Sequence, residues 1–240
     1  MKNTPLFSII TVVRNNEVGI LRTLKSIQNQ DFRNFEHIII DGASNDGTID
    51  VIKMFTNEKQ IVISEKDNGI YDAMNKGIHL AQGEYIAFLN SGDWYEYNAL
   101  TLANNILFKN DNIDILHGLL AYYNNNLDLE FVLGESSNSI PNRMIQHPTC
   151  FVKANLYKEY LFDINYKSSS DYNTFIRFFL NKFKFYFSPI IFTNFVNDGI
   201  SQNINSRVES LEIKWKYKFI SFKKYLLLKT FYFLIKILKN

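Results

Sequence analysis

Cysteine is almost absent: one residue, Cys150, in 240. That excludes a disulfide scaffold and any cysteine-rich zinc site, and it fits a reducing compartment. No uninterrupted apolar run approaches the roughly 18–20 residues of a transmembrane helix. The opening Met-Lys-Asn-Thr-Pro-Leu-Phe-Ser has no apolar signal-peptide core, so a cytoplasmic location is expected. A basic face is also missing from most of the chain. Residues 1–210 carry 18 Lys and Arg against 23 Asp and Glu, which argues against nucleic acid as a partner. The near-neutral net charge of +2 arises because residues 211–240 hold 8 Lys and a single acid, Glu212. An acidic body is thus joined to a basic tail. The remaining composition, 46% hydrophobic and 21% charged with Phe 21 and Tyr 14, suits a compact domain with a sizeable aromatic core.

The first half alternates between two periodicities. Phe7 to Val13 is a β-branched run of the kind found in buried parallel strands, and residues 17–29 place Ile20, Leu21, Leu24 and Ile27 at helical spacing. Further strands are expected at His37 to Ile40, Ile61 to Ser64 and Tyr85 to Leu89, with helices at about 46–55 and 70–82 between them. This order predicts an α/β fold, a doubly wound, mostly parallel sheet with helices on both faces. Such sheets bind ligands at the carboxyl ends of their strands. Four polar clusters stand there: Arg14–Glu17, Asp41–Asp46, Glu65–Asn68 and Asn90–Asp93. In the second half, strands are expected at Ile113 to Tyr123, Leu127 to Leu133, Cys150 to Val152 and Phe183 to Phe195, with a helix over 170–182. Residues 1–205 read as one domain, and 206–240 as a basic, aromatic, amphipathic tail.

Four acid and amide clusters at neighbouring strand ends make a concave electronegative site, suited to a divalent cation that in turn holds a phosphate-bearing ligand. Asp41, at a strand terminus, can accept hydrogen bonds from a base or ribose. Asp46 is better read as a helix cap. His147 precedes Pro148 and a short strand, and two readings stand for it: a ligand of metal or diphosphate, or a partner to a loop carbonyl. His37, His79 and His117 lack such a context and are read as structural.

The segments SIITVVRNNE (8–17), IIIDGASNDGT (38–48), SEKDNGIYDAMNKGI (64–78) and GEYIAFLNSGD (83–93) resemble, in order and spacing, the family 2 glycosyltransferases of GT-A fold. The resemblance is to the bacterial type that builds O-antigen, capsule or colanic-acid-like polysaccharide. Weaker echoes follow at 147–151, 169–177 and 197–201. It implies an inverting transferase that uses a nucleotide-diphosphate sugar, most often a UDP-sugar, and Mn²⁺ or Mg²⁺. Glu17 and Asp41 would hold the nucleoside. Asp67, Asn68, Asn75 and Lys76 would line the nucleotide cleft, although a solvated helix lysine is the competing account of Lys76. Asn90-Ser91-Gly92-Asp93 occupies the family's metal-binding Asp-x-Asp position, with Ser91 beside the nucleotide sugar. Asn90 and Gly92 stand where carboxylates are usual, so Asp93 is the remaining charged ligand, helped by Asn90 directly or through water. Weaker metal affinity is expected. Asp171 matches the acid that opens the acceptor-side helix, the expected general base; a mere helix-dipole role competes with that reading. The alternative for the whole chain is a non-catalytic partner that binds nucleotide sugar or membrane in a polysaccharide-assembly complex.

Residues 214–240 show a further pattern. On a helix, Tyr225, Lys229, Tyr232, Lys236 and Lys239 share one narrow face, and Leu226, Leu227, Phe231, Phe233, Leu234, Ile237 and Leu238 fill the remainder. This predicts a helix in the plane of an anionic membrane surface, with a homo-oligomer contact as the second reading. Together with the resemblance it implies a lipid-linked saccharide acceptor at the inner face of the bacterial cell membrane.

Overall fold

A computed structural model describes residues 4–56, 60–196 and 204–238. The echo at 197–201 lies outside them, and so does Lys239. The first half is built as its periodicity predicts. In order come β1 (Phe7–Val13), α1 (Glu17–Gln28), β2 (Phe35–Asp41), α2 (Thr48–Phe55), β3 (Gln60–Ser64), α3 (Ile70–Leu80) and β4 (Tyr85–Phe88). These strands lie side by side as β3-β2-β1-β4, all parallel. β1 alternates its side chains between two cores. Ile10 and Val12 face α3 and its neighbours, while Phe7, Ile9 and Val13 face the opposite side, and all five are buried. Gly77 of α3 permits the closest approach: a Cβ there would stand 2.5 Å from Cγ2 of Ile10.

The second half is mixed rather than parallel. β5 (Trp94–Tyr95), α4 (Ala99–Lys109), β6 (Ile115–Tyr123), β7 (Leu129–Leu133), β8 (Phe151–Lys153), α5 (Ala154–Glu159), α6 (Ser170–Leu180) and β9 (Phe185–Val196) follow. The sheet continues from β4 as β8-β6-β9-β5, with β7 added to β6. β8 runs antiparallel to both β4 and β6, β9 runs parallel to β6, and β7 pairs with β6 antiparallel. Three elements were not anticipated. β5 has two residues, too few to alternate, and α5 has six, too few for a helical stripe. α4 carries two adjacent asparagines, Asn104 and Asn105, that dilute its apolar stripe of Leu100, Ala103 and Leu107.

The tail forms a helical hairpin, α7 (Ile204–Lys216) and α8 (Phe222–Leu238). The expected boundary near residue 205 falls in the first turn of α7, and α7 packs onto the body. Ile213 is fully buried in the same core as Ile10, and the Tyr217 hydroxyl donates to Oδ1 of Asn173 at 3.0 Å. The narrow face of α8 turns toward α7. Tyr225 stacks on Trp215 with ring centroids 4.8 Å apart, Lys229 pairs with Glu212 at 2.8 Å, and Lys236 donates to Asn205 at 3.2 Å. Leu226, Leu227, Phe231, Phe233 and Leu234 therefore point outward, each more than half exposed. Among the described residues no helix is long and apolar enough to cross a membrane.

Candidate active site

The strand order reverses between β1 and β4, and a crevice opens beyond their carboxyl ends, where parallel sheets place ligands. The crevice is about 530 Å³, within the range of small-molecule sites.

Its floor is the turn Asn90-Ser91-Gly92-Asp93 after β4. Gly92 has φ +106°, a conformation that suits glycine. Thr23, buried in α1, pins this turn: its hydroxyl donates to the Asp93 carbonyl at 2.7 Å and accepts the Gly92 N–H at 3.0 Å. Asn16, the cap of α1, donates to the Ser91 carbonyl at 3.2 Å. Arg22, also on α1, donates to the Gly92 carbonyl at 3.4 Å and lies 5.1 Å over the Trp94 ring. Asp93 is buried yet reaches the crevice lining.

Asp171, in the first turn of α6, lines the same crevice. Its Oδ1 accepts the Tyr71 hydroxyl at 3.0 Å and the Tyr172 N–H at 2.8 Å. Its Oδ2 lies 3.0 Å from Nδ1 of His147. Burial, then the charge of Asp171, pushes the Tyr71 phenol well above its ordinary range, so Tyr71 stays a hydrogen-bond donor. His147 is set by a single 3-10 turn over His147–Thr149, and its Nε2 is buried without a partner among the described residues. In a neutral imidazole, donation from Nδ1 to Asp171 leaves Nε2 a lone-pair acceptor. That form suits a cation or a substrate hydroxyl, and it does not suit a diphosphate oxygen. Asn90 Oδ1 and Ser91 Oγ are likewise buried and unpartnered. Such orphaned acceptors cost stability unless a ligand supplies what they lack.

Other expected site residues lie elsewhere. Asp41 is fully buried and its carboxylate is occupied: Ser44 Oγ donates at 2.5 Å, Ser64 Oγ at 2.6 Å and the Ser44 N–H at 3.0 Å. It organises the loop after β2 instead of lining the crevice. Asp46 is not the cap of α2, which is Gly47; it stands one residue earlier and accepts the Thr48 N–H at 3.0 Å in an Asx turn. Glu17 covers the start of α2, where a Cβ on Gly47 would meet its carboxylate at 2.5 Å. Asp67 lies across Gly42, close enough that a Cβ there would collide with its Oδ2, and accepts the Gly69 N–H at 2.9 Å. The loops after β2 and β3 thus meet. Asn68 is tied to Asp72, its N–H donating at 2.9 Å. Lys76 pairs with Glu65 at 2.7 Å, and that carboxylate raises the lysine pKa. Asn75 is turned away from the crevice altogether: its side chain bonds both backbone groups of Phe162, at 2.9 and 3.0 Å. Its place in the motif reflects helix position, not side-chain direction. His37 and His117 are buried in the sheet as expected, with His37 between Thr11 and Gln60 and His117 against Phe185 and Phe187.

Among the described residues no cluster of three or more His, Cys, Asp or Glu could enclose a metal. The donors present are one carboxylate (Asp93), one amide oxygen (Asn90) and one imidazole nitrogen (His147). This fits an ion that keeps waters and takes substrate oxygens, as Mg²⁺ and Mn²⁺ do, and not an all-protein cage.

The model of Glycosyl transferase family 2 matches residues 8–157. The chain belongs to glycosyl transferase family 2. The match spans β1 to α5 and includes Asp93 and His147. Among curated relatives, a PGL/p-HBAD biosynthesis glycosyltransferase of Mycobacterium bovis (strain BCG / Pasteur 1173P2) is 29% identical over 188 residues, 74% of this chain and 71% of that protein. Another glycosyltransferase, from Mycobacterium tuberculosis (strain CDC 1551 / Oshkosh), is 40% identical over 94 residues, 39% of this chain and 36% of that one. Two solved structures share the fold. Staphylococcus aureus TarS 1-349 in complex with UDP-GlcNAc gives a TM-score of 0.71 at 20% identity, over 87% of this chain and 65% of that chain. The mannosyltransferase PcManGT from Pyrobaculum calidifontis, in complex with GDP-Man and Mn²⁺, gives 0.70 at 14% identity, over 92% and 66%. The family 2 chain described here therefore spans just under two thirds of either solved chain. The GT-A fold expected from the four motifs is the fold found.

Proposed function

We propose that the protein is an inverting, divalent-metal-dependent glycosyltransferase. Its substrates are a nucleoside diphosphate sugar, UDP-linked, and a lipid-linked saccharide, at the inner face of the cytoplasmic membrane in surface-polysaccharide synthesis. One observation carries the reading: Asp171 and Asp93 line one crevice, together with Asn90, Ser91 and His147, whose Oδ1, Oγ and Nε2 are buried and unpartnered among the described residues. TarS with UDP-GlcNAc and PcManGT with GDP-Man and Mn²⁺ support the substrate class and the metal by fold likeness.

Asp93, Asn90 and His147 would hold the Mn²⁺ or Mg²⁺. Bound there, the ion neutralises charge on the departing diphosphate. Asp171 takes the proton of the acceptor hydroxyl as that oxygen bonds to the anomeric carbon and the bond from carbon to diphosphate oxygen breaks on the opposite face. Inversion follows from this single displacement. Tyr71 and the Tyr172 N–H hold one oxygen of the base and His147 the other, so the carboxylate is oriented before substrate arrives. The edge formed by Gly42 and Asp67 receives the nucleoside, with Glu17 and Asp41 fixing the loops behind it.

The acceptor reading draws on α8. Its outward leucines and phenylalanines, flanked by Lys223 and Lys224, form an apolar surface with a basic rim, complementary to an anionic bilayer. Each nearby lysine adds about 1 kcal/mol of attraction to anionic lipid. Two measurements test the proposal. Thermal-shift titration with UDP, GDP and their sugars should show stabilisation by UDP compounds that depends on Mn²⁺; indifference to every nucleotide removes the donor reading. The full chain should sediment with phosphatidylserine vesicles, and Leu227→Glu combined with Phe233→Glu should release it. A protein that ignores vesicles and elutes as a dimer assigns α8 to a second copy.

A further inference from the structure

The hairpin is more than a handle, because α7 reaches the segment that carries Asp171. Residues 167–169 lead into α6, and Lys167 and Ser168 line the crevice. Glu209 of α7 holds both backbones at once. Its Oε1 accepts the Lys167 N–H at 2.8 Å, and its Oε2 accepts the Ser168 N–H at 2.8 Å and the Ser168 hydroxyl at 3.0 Å. One residue on, the Ser169 hydroxyl bonds the Ser206 carbonyl at 3.2 Å and lies 3.1 Å from that of Ser210. Tyr217 then anchors Asn173, one turn inside α6. The side-chain bonds from Tyr71 and His147 aim the Asp171 carboxylate, whereas the backbone that carries it is located by α7.

We propose that Glu209 is a positioning residue for Asp171 and for the acceptor side of the crevice, so that the C-terminal hairpin completes the active site. The proposal rests on the reading of Asp171 as the base. Only a carboxylate of this length meets the observed pattern: two adjacent N–H groups each need their own oxygen, and each oxygen of Glu209 serves one. A glutamine keeps one acceptor and sets an NH₂ against the other N–H. Alanine leaves both amides without their partner. Displacing a base by about 1 Å costs on the order of a hundredfold in rate.

The test compares the full-length wild type with Glu209→Gln and Glu209→Ala. Amide hydrogen exchange over residues 165–173 is followed beside steady-state hydrolysis of UDP-GlcNAc, UDP-glucose and GDP-mannose with Mn²⁺. Expected are faster exchange at Lys167 to Asp171 and a kcat lowered by about ten- to a hundredfold in Glu209→Ala, with KM for the nucleotide sugar within about twofold. Glu209→Gln should fall between the wild type and Glu209→Ala on both scales, and it serves where Glu209→Ala fails to fold. Unchanged exchange overturns the proposal, and so does loosened exchange with undiminished kcat. A wild type that turns over no nucleotide sugar refutes the catalytic reading instead, and exchange alone then decides whether Glu209 holds this segment.

Discussion

Replacing Tyr71 by Phe is the cleanest perturbation of the site. The ring, packed against Phe162 with centroids 5.5 Å apart, is kept, and only the hydroxyl that donates to Asp171 at 3.0 Å is removed. Tyr71 and Asp171 are both buried, so water does not readily replace the lost donor. A buried hydrogen bond to a charged group contributes about 1.5–3 kcal/mol, and Tyr71→Phe should destabilise the fold by an amount in that range. Asp171 keeps the Tyr172 N–H and His147 but can swing about the His147 contact, so kcat should fall by about ten- to a hundredfold. KM for the nucleotide sugar should hold within about twofold, because Tyr71 touches the proposed base, Asp171, and not the proposed donor site. The phenol pKa is pushed far above its ordinary value, so the loss should be constant from about pH 6 to 9, with no new ionisation introduced. The assay is nucleotide release measured beside urea denaturation. Lost stability with unchanged kcat would refute the reasoning, since the bond would then serve packing alone.

Other consequences are independent of catalysis. Burial holds the His37 imidazole down to about 3 in the folded state, against 6.5 for the ordinary side chain. The folded pKa is depressed, so the unfolded chain binds the extra proton first. Stability is therefore full above about pH 6.5 and falls as pH drops toward 3, by about 2 kcal/mol at pH 5. His37→Gln should flatten that slope in urea denaturation at pH 7 and 5; an identical slope contradicts the assignment. Gly77→Ala should destabilise by about 1–3 kcal/mol through overpacking on Ile10, read as a lower denaturation midpoint, with nucleotide binding retained. Lys76→Ala should cost at most about 1 kcal/mol in the same assay, because its pair with Glu65 is solvent-facing.

Much of the fold was legible because β1 and β4 are buried along their whole length and β2 along most of its own, and the helices between the strands carry clear apolar stripes. Phe7–Val13 needs no tertiary information to be read as a strand. The second half was less legible. β8 has three residues and β5 two, and their places depend on antiparallel partners far away in the chain. The candidate site divides along the same line. Asp93 and Asp171 stand out as acids at element ends, and the structure brings them to one crevice. Tyr71, Arg22 and Glu209 carry no such signal. Tyr71 looks like one more apolar residue of α3, and Glu209 like an ordinary surface acid, until α6 and α7 are seen against them. Asn75 shows the converse. Asp67 and Asn68 of the same segment belong to the loop after β3, but Asn75 lies on α3, whose rotation turns its amide onto the Phe162 backbone.

The wheel of α8 was legible while its orientation was not. Lysine and tyrosine share a face, and that face makes the intramolecular contacts through Glu212, Trp215 and Asn205. The apolar face is left outside, a placement that only the hairpin geometry decides.

The central claim is that Asp171 and Asp93 act together on a nucleotide sugar in one crevice. Its most direct test is Mn²⁺-dependent release of nucleoside diphosphate from a panel of nucleotide sugars, with Asp171→Asn and Asp93→Ala compared with the wild type. The account predicts turnover by the wild type. Asp171→Asn should lose about a hundredfold or more in kcat and still bind nucleotide, and Asp93→Ala should lose both turnover and the Mn²⁺-dependent part of nucleotide binding. Wild-type rates in folded Asp171→Asn, or no turnover by the wild type with any nucleotide sugar, would contradict it.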